Sequence, residues 1–383
     1  MTWWHNAIGH PGDSAAKKMI DRGYGAVNGI KVTLKHFMSK GLPKVWCDTC
    51  CKARCRNRHH KRRDKADGGW PAHPNELHAV DSMGRSKRSL WGEQYSTVVK
   101  DHHDANTWAY AHRRKKEMPN VLAKHEHSAK MDARQSKSYA AYDGTVEFGV
   151  KAYRSDNAGE LTSDFELARR RRGGIATQLT VPNAGHGQQN AVAERAIGLV
   201  RTLSNTLIHS PLHNIPITYA RRLWPYADSH AARLRNLHPT THNEENAAPA
   251  EKRYVSGRGA LKPSYISRLH HIWGSRMVVN EPGDKRELKG RDYYYVGVPD
   301  DFAPGYLAWD LSRPLERPRV VLNVVFQEDA QIDSTESFVK ASYDSSLESD
   351  DAGDMDVTYS KDVDLETNEG ALSGTDNDSA ARK

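Results

Sequence analysis

The stretch Tyr153-Arg154-Ser155-Asp156-Asn157-Ala158-Gly159-Glu160 decides how this 383-residue chain is organised. It is read together with Gln188-Gln189-Asn190-Ala191-Val192-Ala193-Glu194-Arg195. Asp156 ends an apolar, strand-like run from Val146 to Tyr153, and Glu194 opens a helix-like run that continues to about His209. In that helix Val192, Ala196, Val200, Leu203 and Leu207 recur at steps of four and three, forming one stripe for a core to bury. Glu194 lies off the middle of the stripe, so its carboxylate is free to point elsewhere while the stripe packs. Two carboxylates delivered from a strand end and a helix start suit a pair of Mg²⁺ ions clamping the attacking and leaving oxygens of a phosphate. Taken singly, each is most simply a solvated surface group.

The residues around the two carboxylates shift that balance. RSDNAGEL followed by QQNAVAER resembles the catalytic core of copia-type (Pseudoviridae) LTR-retrotransposon integrases, which are related to retroviral integrases. The resemblance implies a third carboxylate upstream, on the first core strand just before a Gly. Glu76-Leu77-His78-Ala79-Val80-Asp81-Ser82-Met83-Gly84 is similar to that segment, with Asp81 as the ligand. Asp81, Asp156 and Glu194 then match the family's catalytic Asp-Asp-Glu triad, which holds Mg²⁺ (or Mn²⁺), two ions per active site. The implied fold is α/β, an RNase H-like core built on a mixed five-stranded sheet with flanking helices. Asn157, Gln189, Asn190 and Arg195 are candidates for contacting DNA. Two departures stand out. The loop Asn183 to Gly187, before Glu194, is longer than usual and rich in Gly, leaving 37 residues between Asp156 and Glu194, and Ala158 replaces a Gly.

The N-terminus carries a separate signal. His5 and His10 are spaced by four residues and Cys47 and Cys50 by two. Imidazole and thiolate pairs at such spacings suit one tetrahedral structural Zn²⁺. Cys51 and Cys55 leave the thiolate choice open on spacing alone. "WWHNAIGHPG…WCDTC" resembles the zinc-binding module ahead of the copia-type core, which favours Cys47 and Cys50. Four cysteines packed this closely suit metal ligation better than disulfides.

Charge points the same way. Residues 327–383 carry 16 acidic and 4 basic side chains, net −12, in a chain whose formal net charge is +8, so the rest carries +20. A basic body with an acidic tail suits a phosphate-bearing partner. The densest basic run includes Arg62 and Arg63, a DNA-binding or nuclear-import candidate; Arg169 to Arg172 form another. No run is apolar and long enough to span a membrane, and the start lacks a signal-peptide pattern.

Helices are expected at 118–130, 165–172 and 217–237, with a short strand at 176–181. Strand-like runs at 276–279, 293–298, 306–310 and 319–326 resemble the small SH3-like barrel that follows the copia-type core; a β-extension of the core is the plainer alternative. The domain reading is a zinc-binding pre-integrase module with its basic linker at 1–66, the catalytic core at 76–245, a small β domain at 255–329 and a disordered acidic tail at 330–383. Met1 lies four residues before His5, which reads as a fragment of a longer polyprotein. The resemblance implies DNA strand transfer, joining element cDNA 3′ ends to target DNA. It also implies homo-oligomers and nuclear action after assembly in cytoplasmic particles. An RNase H-like nuclease and a catalytically inactive, retroelement-derived DNA-binding protein are the alternatives.

Overall fold

The computed structural model describes residues 9–10, 13–21, 26–27, 30–31, 71–133, 149–156, 163–179, 190–254, 268–281, 289–299 and 303–328. The chain divides into two units, Met1–Asp333 and Ser334–Lys383, and every described residue belongs to the first. The expected acidic tail therefore lies outside the described residues. Helix α1 (Asp13–Asp21) buries Ala16, Met19 and Ile20, and is followed by a minimal antiparallel pair, β1 (Ala26–Val27) and β2 (Ile30–Lys31).

The next strands build the central sheet. β3 (His78–Met83), β4 (Tyr95–Asp101) and β5 (Thr107–His112) form an antiparallel meander. Helix α2 (Met118–Ala133) leads to β6 (Ala152–Ser155), which pairs in parallel with β3. Helix α3 (Asp164–Arg172) leads to β7 (Ala176–Leu179), parallel to β6. The order β5-β4-β3-β6-β7 is a mixed five-stranded sheet with β3 at its centre. Parallel neighbours need a crossover, and α2 and α3 supply the two. α3 stops where Gly174 takes φ +68°, a conformation Gly adopts without the Cβ penalty.

Alternation along the strands sends the side chains to two cores. Val80, Val99 and Tyr153 face Met118, Leu122 and Ala129 of α2. Met83, Val98 and Ala109 face the opposite way, against α4 (Ala191–Ile208), whose Ala196, Val200, Leu203 and Leu207 are buried. These are four of the five positions of the stripe expected from the sequence; Val192, at the start of the helix, is half-buried. Each Val, Leu or Met of these cores contributes about 1.5–3 kcal/mol when fully buried, and each Ala less.

The expected helix over 217–237 is broken. α5 (Ile217–Arg222) ends at Leu223, and α6 (Trp224–Asn236) begins anew with Pro225 in its first turn. Proline has no N–H and its ring clashes with the carbonyl four residues back, so one helix cannot run through. Among the described residues, no helix is long and apolar enough to cross a membrane. α7 (Pro249–Tyr254) follows.

A second five-stranded sheet, all antiparallel, contains β8 (Arg276–Asn280), β9 (Gly290–Tyr295), β10 (Tyr306–Trp309), β11 (Arg319–Val321) and β12 (Val324–Gln327) in the order β11-β10-β9-β8-β12. The run 319–326 is thus two strands rather than one. Leu322 and Asn323 alone separate strands at opposite edges, so the sheet must curl for both edges to be reached. Its apolar face is shared with the helices that cover the central sheet: Trp273, Met277, Tyr295 and Trp309 pack in one cluster with Leu223, Ala227 and Leu234. Arg233 of α6 donates to the carbonyls of Val298 (3.1 Å) and Pro299 (2.6 Å). Arg170, read from the sequence as part of a basic surface run, is fully buried. It pairs with Glu166 at 2.7 Å and lies 5.0 Å from the Tyr153 ring centre, so it serves packing rather than a ligand.

Candidate active site

Three elements meet at one end of the central sheet. Asp81 sits on β3, opposite Val98 of β4, on the face that α4 covers. Its Oδ1 accepts a hydrogen bond from the Ser82 N–H at 2.7 Å. β6 pairs with β3 through His78↔Tyr153 and Ala79↔Arg154. Continuing that parallel register by two residues brings Asp156, just past the end of β6, level with Asp81 and on the same face.

The third element is held by a side chain. Asn190, buried at 6% exposure, precedes α4 and donates from Nδ2 to the Val80 carbonyl at 3.3 Å. That contact ties the start of α4 to the strand carrying Asp81, one residue away. The Asn190 carbonyl accepts from the Glu194 N–H at 3.1 Å, so Glu194 stands one helical turn from the tether. The Asn190 amide therefore faces inward and positions the helix. The sequence had suggested a contact with DNA, and only the fold could reveal the tether, because Val80 is distant in sequence.

The electrostatics follow this convergence. Burial pushes the Asp81 carboxyl up to about 6; the Ser82 N–H opposes this, and the charges of Asp156 and Glu194 push it further up. Lys115, at the turn after β5, pulls the other way. Glu194 and Arg195 are exposed, as is Asp156. Among the described residues, no three His, Cys, Asp or Glu side chains are grouped closely enough to hold a metal ion.

The remaining sequence candidates divide simply. His5, Cys47, Cys50, Arg62, Arg63, Asn157 and Gln189 lie outside the described residues, as does the Gly-rich loop before Asn190. His10 is described and buried, at 1% exposure. Gly9 beside it, at φ +78°, approaches Leu234 of α6 so closely that a Cβ would lie 2.8 Å from Leu234 Cδ1. The segment that holds this candidate zinc ligand therefore packs on the helix layer of the core.

Sheet, helices and carboxylates together define an α/β protein of mixed strand direction, with one acidic group in the C-terminal half of β3 and another just past the end of its parallel neighbour β6. Two solved structures are similar to it. One is a simian T-cell lymphotropic virus intasome in complex with the PP2A regulatory subunit B56 gamma. It has 13% identity over 66% of this chain and 82% of that one, with a TM-score of 0.32. The other is the HTLV-2 integrase catalytic core domain in complex with magnesium, in its dimeric form. It has 13% identity over 46% of this chain and 98% of that one, with a TM-score of 0.31. No family model and no curated protein matches the sequence.

Proposed function

We propose that the chain is an integrase of the Asp-Asp-Glu type, a polynucleotidyl transferase of copia-type elements that joins cDNA 3′ ends to target DNA. The observation that carries this reading is the meeting of β3, β6 and the start of α4, which brings Asp81 within the fields of both Asp156 and Glu194.

The donor set fits Mg²⁺ or Mn²⁺ by its chemistry: three carboxylates offer hard oxygen ligands, and Asp81 already feels its two neighbours' charges. Asp81, Asp156 and Glu194 are the residues that would hold the ions. When bound, the ions lower the pKa of the attacking hydroxyl and stabilise the leaving 3′ oxygen. The chain's own work is positional. The paired strands fix Asp81 and Asp156, Asn190 fixes the helix that bears Glu194, and Arg195 beside it offers a cation to the DNA backbone. DNA, in oligomeric assemblies acting in the nucleus, is the partner this reading requires. The test is incubation of the purified chain with end-labelled duplex, plasmid and Mg²⁺. Joined products support the reading; cleaved but unjoined DNA would make the chain a nuclease instead.

Asn190→Ala removes the tether but leaves every carboxylate in place. The expected result is a turnover loss of about tenfold or more, since small misplacements of reacting groups are costly. Duplex affinity should hardly change, and Asn190→Asp should restore little because its carboxylate cannot donate to the Val80 carbonyl. Equal losses in turnover and affinity would assign Asn190 to DNA contact.

A zinc module at 1–66 belongs to the same reading. Two imidazoles and two thiolates are a suitable donor set for structural Zn²⁺, and His10 is buried. About one Zn²⁺ per chain is expected, held by His5, His10, Cys47 and Cys50. Metal analysis of freshly purified protein checks this, and undiminished zinc in a Cys47→Ser/Cys50→Ser chain would reject the ligand set.

A further inference from the structure

Lys100 lies on β4, on the face covered by α4 and α6, and is 8% exposed. Among the described residues no hydrogen bond or ion pair reaches its ammonium. This is unusual, because buried charges are ordinarily paired. Its neighbours are cations. Thr107 of β5 stands opposite Lys100 in register. Asn236, at the end of α6, clasps the Thr107 backbone, accepting from its N–H at 2.8 Å and donating to its carbonyl at 2.9 Å. That clasp brings Arg235 beside Lys100. From the α4 side comes Arg195, the residue after Glu194. Burial and the charges of Arg235 and Arg195 lower the Lys100 pKa to about 8. Asp104 also influences Lys100, but its own carboxyl is pushed up to about 7 by burial, and its ion contact is with Arg253.

We propose that Lys100, Arg195 and Arg235 form a phosphate-binding site for the DNA backbone, next to the candidate active site on the same face of the sheet. The proposal rests on the integrase reading for its choice of ligand. Three cations from three elements, with no hydrogen bond or ion pair to the lysine among the described residues, suit an anion from outside. A phosphodiester supplies the charge and the oxygen acceptors together. A strand held there has its backbone fixed two register positions from Asp81, on the same face, which suits in-line attack at a neighbouring phosphate.

The test uses the full chain, a short DNA duplex and a salt series. Lys100→Met is expected to weaken duplex binding about tenfold, the effect of losing one hydrogen bond to a charged group. It should also lower the slope of log affinity against log salt by about one. Without DNA its melting temperature should hold or rise, because an unpaired buried charge has gone. Inorganic phosphate should raise the melting temperature of the parent more than that of Lys100→Met. Arg235→Gln gives a second reading of the slope. Parent-like affinity and slope in Lys100→Met overturn the site, as does a loss of affinity that tracks a lower melting temperature, which would make Lys100 a packing residue. Stabilisation by inorganic phosphate with an unchanged DNA slope would reduce the site to a small-anion site and overturn it for DNA. A parent that binds no duplex overturns both this site and the integrase reading, whereas a parent that binds but does not join DNA overturns the integrase reading alone.

Discussion

A Glu194→Gln chain is expected to lose strand transfer by about a hundredfold or more, the scale on which removal of a group that stabilises developing charge acts. The change keeps the side chain's size and removes one negative charge. Glu194 is exposed at the first turn of α4 and lies outside the apolar stripe, so the helix should pack as before. Duplex affinity should hold, because it depends on Lys and Arg contacts to phosphate. A second readout belongs to the same variant. The Glu194 charge helps hold the Asp81 carboxyl up near 6, so in the Gln chain that carboxyl should titrate lower, which a carboxyl-labelled NMR titration detects. Strand transfer at the parent rate, or an Asp81 titration that does not move, would show that the two carboxylates do not act as one site.

The legible parts of the molecule are those whose signal is local. The α4 stripe, the strand ends at Asp81 and Asp156, and the Gly-stopped α3 are written in short windows of sequence, and the structure has elements there. Pro225 also marked a helix break within one residue, but the continuing apolar pattern hid it. The two strands within 319–326 share one alternating pattern, and only their partners, β10 and β8, divide them. The Asn190 tether joins residues 110 positions apart. Neither composition nor period carries such information. The chemistry of the acidic turn after β4 is equally non-local. Asp101 and Asp104 are both buried, because a guanidinium more than a hundred residues later reaches them.

That guanidinium makes the second large prediction. Arg253 on α7 is fully buried and holds Asp101 Oδ2 at 2.8 Å and Asp132 Oδ2 at 2.9 Å, with the Asn75 Oδ1 at 2.8 Å; its Nε lies 2.9 Å from Asp104 Oδ2. It also covers the Trp108 ring, 5.1 Å from the centre. One side chain thereby ties α7 to the β4–β5 turn and to the end of α2. Arg253→Met keeps much of the apolar stem but strands three buried carboxyls. Removing one partner of a buried pair costs about 3–5 kcal/mol, and this cation serves three acids. Arg253→Lys should rescue little, because a point charge cannot bridge several acceptors as the planar fork does. The pH dependence separates charge from packing. In the parent, burial would raise the Asp101 carboxyl, but His78 and Arg253 hold it well below the usual range. Its contribution is therefore present above about pH 4, the unfolded value, and fades only in stronger acid. Asp104, raised to about 7, has the opposite sign, with stability falling as pH rises from about 4 to 7. Without Arg253 the folded-state pKa values of Asp101 and Asp104 move up, so the high-pH penalty of Asp104 grows and the support from Asp101 shrinks. The deficit of Arg253→Met should then be largest near pH 8 and shrink toward pH 5, where the stranded carboxyls take up protons. Urea unfolding of parent and variant at the two pH values measures the difference, and a deficit of equal size at both would mean that the packing of the guanidinium on Trp108, rather than its charge, holds α7 in place.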